Sequence, residues 1–148
     1  FAREKARSLA HRFDDALILA SDQGLVAGGK LWGKPSTFEA ACAQLRELAG
    51  GTHELVTSVA LLDTASGTLD LDTQVCTVRY RALGPAAIAD YVRRDDPLDC
   101  AGCFKIESLG IALFERVDSD DPSGIMGLPL IRVARMLERR GLPLFPAG

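Results

Sequence analysis

The sequence predicts an α/β fold, a mixed β-sheet flanked by helices, on three observations. Amphipathic helical stretches alternate with apolar runs of strand length. One of those runs, ALILAS at residues 16–21, is continuous and bounded by polar residues, as in a strand covered by helices on both faces. No repeat and no linker interrupts the series, and 148 residues suffice for one hydrophobic core, so residues 1–148 read as a single domain.

The elements follow in order. Ala2, Ala6, Leu9, Ala10 and Phe13 fall on one helical face, which predicts an amphipathic helix over residues 1–12 with Lys5 beside that face. Asp14 and Asp15 break the pattern before the 16–21 strand. GLVAGGKLWGKP then reads as a hairpin turning at Gly28-Gly29. Ser36 and Glu39 form an S-x-x-E capping box for a helix whose buried stripe is Phe38, Ala41, Cys42, Leu45, Leu48 and Ala49, stopped by Gly50-Gly51. Residues 52–64 and 68–81 predict two long strands joined at Ser66-Gly67. In the second, apolar residues shift from odd positions (Leu69, Leu71) to even ones (Val78, Tyr80), which predicts a bulge. Pro85 starts a short helix with Ile88, Tyr91 and Val92 inward. Residues 97–109 read as loop, 111–117 as a strand and DSDDPSG as a solvated loop. Pro129 starts the last helix, with Ile131, Ala134 and Leu137 inward and Gly141 after its end.

A formal charge of −3, from 17 basic and 20 acidic residues, argues against a general nucleic-acid binder. A local lysine cluster can still hold a small nucleotide. No apolar run approaches the roughly 20 residues that span a bilayer, and no signal peptide is visible, so a cytoplasmic protein without a membrane partner is expected. The four cysteines then read as reduced thiols rather than disulfides. The chain opens at Phe1 without a Met, already inside a helical pattern, and a preceding segment is expected.

Four residues are placed to carry chemistry. Asp22 follows a buried strand, where α/β folds form ligand crevices, and could hold a divalent metal or take a proton from water. The competing reading, favoured by position alone, is a turn aspartate capping the hairpin. Lys34 lies in G-K-P at the mouth of the same crevice, and Lys5 could reach it. Together they would offset phosphate charge. A lone lysine is usually only solvated, and G-K-P is not a P-loop. Glu107, in FKIESLG, could accept hydrogen bonds from the Watson–Crick edge of guanine if buried, or simply pair with Lys105 on the surface. Cys100 and Cys103 form a C-x-x-C. It lacks the second pair of a zinc site and the strand-then-helix setting of a redox motif, so both read as structural. His11 and His53 are too isolated to be ligands.

These motifs in this order resemble the Maf family, a group of nucleoside triphosphate pyrophosphatases with an inosine triphosphatase-like fold. The matching stretches are AREKA, ILASDQGLVAGGKLWGKP, LRELAGGTHELVTSVALL, DYVRRDDPLDCAGCFKIESLGIALFE and GLPLIRVARML, which span essentially the whole chain. Ser21-Asp22-Gln23 and the run from Cys100 to Glu107 are most similar to the 7-methyl-GTP branch rather than the dTTP/UTP branch. The resemblance implies Asp22 as catalytic and metal-binding residue, Lys5 and Lys34 on the phosphates, and Gln23 and Glu107 as readers of the base. It also implies a divalent cation (Mg or Mn) and a homodimer. The family's first strand and S-x-S-x-R loop are absent from the given residues, and Ser108 stands where the branch often has Gly. The implied function is cleavage of 7-methyl-GTP to the monophosphate and diphosphate, which removes modified nucleotides. The alternatives are the same reaction on dTTP or UTP, and a non-catalytic nucleotide-binding regulator of cell division.

Overall fold

A computed structural model describes residues 1–146. The helices are α1 (Ala2–Ala10), α2 (Phe38–Leu48), α3 (Pro85–Asp95) and α4 (Leu130–Arg139). The strands are β1 (Leu17–Ala27), β2 (Lys30–Trp32), β3 (Thr52–Asp63), β4 (Leu69–Tyr80) and β5 (Phe114–Asp118). They form one sheet in the order β2-β1-β3-β4-β5. The α/β class with flanking helices is as expected, and the sheet is antiparallel where a mixed one was expected. The chain divides into two compact units, with β1, β3 and β4 each running through both.

The first unit holds residues 1–23, 57–74 and those from Asp121 onward. Side chains alternate across a strand, and the two faces here take different helices. Ala2 and Ala6 of α1 pack on Ile18, Ala60 and Leu62. Val133 and Met136 of α4 pack on Val59 and Leu61. The expected α1 stripe is corrected: two alanines one turn apart let the helix approach the sheet closely, while Leu9 and Phe13 stay exposed. In β1, Ile18 is buried but Leu17 and Leu19 are exposed, so this strand is not covered on both faces as the apolar run suggested. The inward set of α4 also differs, with Val133 and Met136 buried and Ile131 exposed. The β3–β4 turn falls at Ser66-Gly67, as expected, with Gly67 in the left-handed region at φ 70°. Of residues 118–124, Asp118, Ser119 and Asp120 are exposed, as a solvated loop predicts. They lead into a 3-10 turn, Pro122–Met126, and Asp121 is 1% exposed.

The second unit holds residues 24–56 and 75–120. Gly28 and Gly29 turn the first hairpin at φ 58° and 73°, both left-handed, as a two-residue loop requires. The register pairs Leu25 with Trp32 and Ala27 with Lys30. Helix α2 is capped one residue later than expected. Thr37, not Ser36, is extended and accepts the Ala40 N–H at 3.2 Å. Helices α2 and α3 pack together, and each has a buried face, with Ala41 and Leu45 on α2 and Ile88 and Val92 on α3. Tyr80 is 1% exposed, stacks edge-on to Phe114 at 4.7 Å and donates to the Gly102 carbonyl at 2.9 Å. Only part of the expected 111–117 strand is a strand: Leu109–Leu113 is a 3-10 turn, and β5 follows it. A register irregularity occurs in β4 between Arg79 and Tyr80, against β5. Its expected cause is corrected, because burial stays on even positions from Gln74 to Tyr80 and Leu71 is exposed.

Candidate functional site

In the first unit, the chemistry gathers around residues 21–23 of β1. Helix α1 buries Ala2 and Ala6, which leaves Lys5 on its exposed side. The Lys5 ammonium makes an ion pair with Asp22 and donates to the Ser21 carbonyl at 3.2 Å. The Asp22 side chain is 30% exposed, so the pair is open to a ligand from solvent.

Ser21 and Gln23 project to the opposite face of the strand from Asp22. There the Ser21 hydroxyl donates to the Gly127 carbonyl. The Gln23 side-chain amide donates to Thr57 Oγ1 and to the Gly124 carbonyl, each at 2.8 Å. Thr57 is 1% exposed and donates to the same carbonyl at 3.4 Å. Asp22 is therefore flanked in sequence by two side chains tied to the loop that precedes α4.

That loop has its own supports, none of which the sequence reading singled out. Asp121 Oδ1 accepts the Ser123 hydroxyl at 2.5 Å and the Ser123 N–H at 3.2 Å. Its Oδ2 accepts the N–H groups of Ile131 at 2.7 Å and Arg132 at 3.3 Å, in the first turn of α4. Burial opposes ionisation of Asp121, but the hydrogen bonds from Ser123, Ile131 and Arg132 outweigh it and hold the carboxyl below its ordinary value. Gln74, also 1% exposed, donates to the Asp121 carbonyl at 2.8 Å. A Cβ on Gly124 would lie 1.5 Å from Gln74 Oε1, so the close approach requires glycine.

Lys34 and Glu107 belong to the second unit. Both lie within electrostatic reach of the Asp99–Cys100 turn. The Cys100 thiol and the Asp99 backbone N–H hold Asp99 below its ordinary value, with smaller contributions from the Lys105 and Lys34 charges. Burial, then Asp99, push the Cys100 thiol up to about 11, with a smaller contribution from Glu107. Burial alone dominates at Cys103, pushed up to about 12. All four cysteines are free, and thiols as weakly acidic as those of Cys100 and Cys103 are poor nucleophiles. Glu107 is exposed rather than buried, and Lys105 donates to the Asp96 carbonyl at 2.8 Å. Ser108, next to Glu107, has a local role: its hydroxyl donates to Asp95 Oδ1 at 2.5 Å. A cavity of about 180 Å³ in this unit, lined by Arg81, Tyr91, Arg94 and Leu113 among others, includes none of the five predicted residues.

Among the described residues there is no cluster of three or more His, Cys, Asp or Glu side chains that could hold a metal ion, and no helix long and apolar enough to cross a membrane. The family model described as Maf-like protein matches residues 1–140.

Proposed function

The chain belongs to the Maf-like protein family, and on that premise we propose that it hydrolyses 7-methyl-GTP to the nucleoside monophosphate and pyrophosphate. Nucleotide pyrophosphatase activity is what the family suggests. The 7-methyl-GTP preference rests on Ser21-Asp22-Gln23 and on the stretch from Cys100 to Glu107.

The observation that carries the reading is the Lys5–Asp22 ion pair, which joins helix α1 to strand β1 across 17 positions of sequence. In this reading Asp22 takes a proton from the water that attacks the α phosphorus. Lys5 pairs with the carboxylate while the site is empty and turns to the phosphates when substrate enters. Lys34 offsets further phosphate charge, and the work is positioning and charge neutralisation. Gln23 spends both side-chain N–H donors on Thr57 and Gly124, so its carbonyl oxygen is the group that accepts from a base N–H. Glu107 offers an exposed carboxylate to the cationic methylated purine.

A divalent cation fits this donor set in one way. Asp22 supplies a carboxylate beside Lys5 outside any cluster of three or more such ligands among the described residues, which suits an ion held mainly by substrate phosphates and water, and not a preformed protein cage. When bound, it would supply charge neutralisation at the phosphates. A homodimer acting in the cytoplasm completes the proposal.

The test is pyrophosphate release across a panel of nucleoside triphosphates with Mg or Mn. Preference for 7-methyl-GTP over GTP, dTTP and UTP is expected, and Glu107→Gln should erode it. Asp22→Asn should lower turnover by roughly a hundredfold or more. Unchanged release in that variant would overturn the catalytic assignment. A best rate on dTTP or UTP would move the protein to the other branch. Nucleotide binding without release in the wild type would favour the regulator.

A further inference from the structure

We propose that Asp121 is a positioning residue for the Ser21-Asp22-Gln23 segment, acting through the loop that runs from Asp121 to the start of α4. The proposal rests on the reading of Asp22 and Gln23 given above, and it adds a residue which that reading does not use.

The loop receives the side chains on either side of Asp22: Ser21 on the Gly127 carbonyl, and Gln23 on the Gly124 carbonyl at 2.8 Å. A carbonyl can hold a side chain in place only if the carbonyl itself is fixed. The loop has no sheet ladder to fix it. Within it the Gly127 N–H holds the Gly124 carbonyl at 2.9 Å, and Asp121 anchors that turn at both ends, with one oxygen on Ser123 at the loop's start and the other on Ile131 and Arg132 at its end. One carboxylate thus closes both ends of the segment that carries the two carbonyls. Ser123 reinforces the closure by accepting the Leu130 N–H at 2.7 Å. Because alternate residues of a strand face opposite ways, fixing Ser21 and Gln23 on one face sets the direction in which Asp22 leaves the other. Charge-assisted hydrogen bonds are the stronger class, and the Asp121 carboxylate, in a residue 1% exposed, accepts those of Ser123, Ile131 and Arg132.

Asp121→Asn tests this. The amide keeps the shape but replaces one accepting oxygen with a donor, so the bonds at one end of the loop are lost. Ser123→Ala, a milder change at the same closure, serves if the first variant does not fold. The first readout is the ratio of kcat/KM between the preferred and a disfavoured base, which a smaller folded fraction cannot move. It should fall roughly tenfold, because a displaced Gln23 no longer discriminates. In the same variant kcat should fall by ten- to a hundredfold on the order expected for a misplaced catalytic group, with KM changing less. The second readout needs no turnover: the NMR signals of the Gln23 side-chain amide and of the Ser21–Gln23 backbone should shift in both variants. A folded variant with the wild-type base ratio, or with unmoved Ser21–Gln23 signals, would overturn the proposal. If the wild type proves inactive, the pyrophosphatase reading fails by itself. The NMR readout then decides whether Asp121 positions the segment.

Discussion

Gly124→Ala offers a severe test of the packing behind the candidate site. The added methyl would sit 1.5 Å from Gln74 Oε1 and 2.4 Å from its Cδ. The end of a glutamine ordinarily swings away from such a contact at small cost. Gln74 is 1% exposed, however, and its Nε2 is held at 2.8 Å on the Asp121 carbonyl. Either the loop shifts, at an overpacking cost of about 1–3 kcal/mol, or Gln74 leaves and a buried polar group loses its partner, at about 1–3 kcal/mol. The two costs overlap, since moving Gln74 relieves the clash, so about 2–4 kcal/mol in total is expected. For a chain of this size each kcal/mol moves Tm by about 2–4 °C, which gives a drop of about 5–15 °C. Thermal unfolding followed by circular dichroism reads it. Gln74→Ala alone should also destabilise, by removing a buried hydrogen bond. The Gly124→Ala/Gln74→Ala double variant should be more stable than the sum of the single effects, because the space the methyl needs is now empty. A Gly124→Ala protein melting within a degree of wild type, or strictly additive effects, would refute the reasoning.

Three further outcomes follow from the same geometry. Lys5→Gln should cost less than about 1 kcal/mol of stability, since the pair with Asp22 is largely exposed. Turnover should nevertheless fall by at least tenfold, and a large Tm loss with unchanged turnover would reverse the assignment. Tyr80→Phe should cost about 1–2 kcal/mol by stranding the buried Gly102 carbonyl, measured by urea unfolding. Asp95 and Asp121 both have folded pKa values below the ordinary 3.8, in each case because hydrogen bonds outweigh the opposing effect of burial. Their stabilisation is therefore fully present above that ordinary value and is lost as pH falls through the folded values. Asp121→Asn should flatten the acid limb of a stability–pH curve, and an unchanged acid limb would count against the buried carboxylate.

The parts of the fold legible in the sequence are those that local chemistry decides. Gly28-Gly29 must turn, because both residues need left-handed φ, and Pro85 starts a helix whose inward set is Ile88, Tyr91 and Val92, as its periodicity says. Legibility fails where two choices have similar local merit. Ser36 and Thr37 are both cap formers, and the backbone at Ser36, φ 64°, leaves the cap to Thr37. In α1 the larger apolar residues suggested the buried face, but close approach to the sheet favours the alanines. The site divides along the same line. Asp22 and Lys5 could be singled out because charged side chains beside an apolar run are visible in a string of letters. Asp121 could not, because DSDDPSG has the composition of a solvated loop and nothing in it says which of three aspartates is buried. Its partners are backbone N–H groups ten and eleven residues on, and the carbonyls it steadies receive side chains about a hundred residues away. Every residue but proline carries the same N–H and C=O, so contacts of this kind leave no mark on residue identity at the receiving end. The faint signs they do leave are the residues that make room or supply the acceptor: Gly124, which a methyl would exclude, and Asp121 with Ser123 two positions later, the spacing of a side chain folding back on its own backbone.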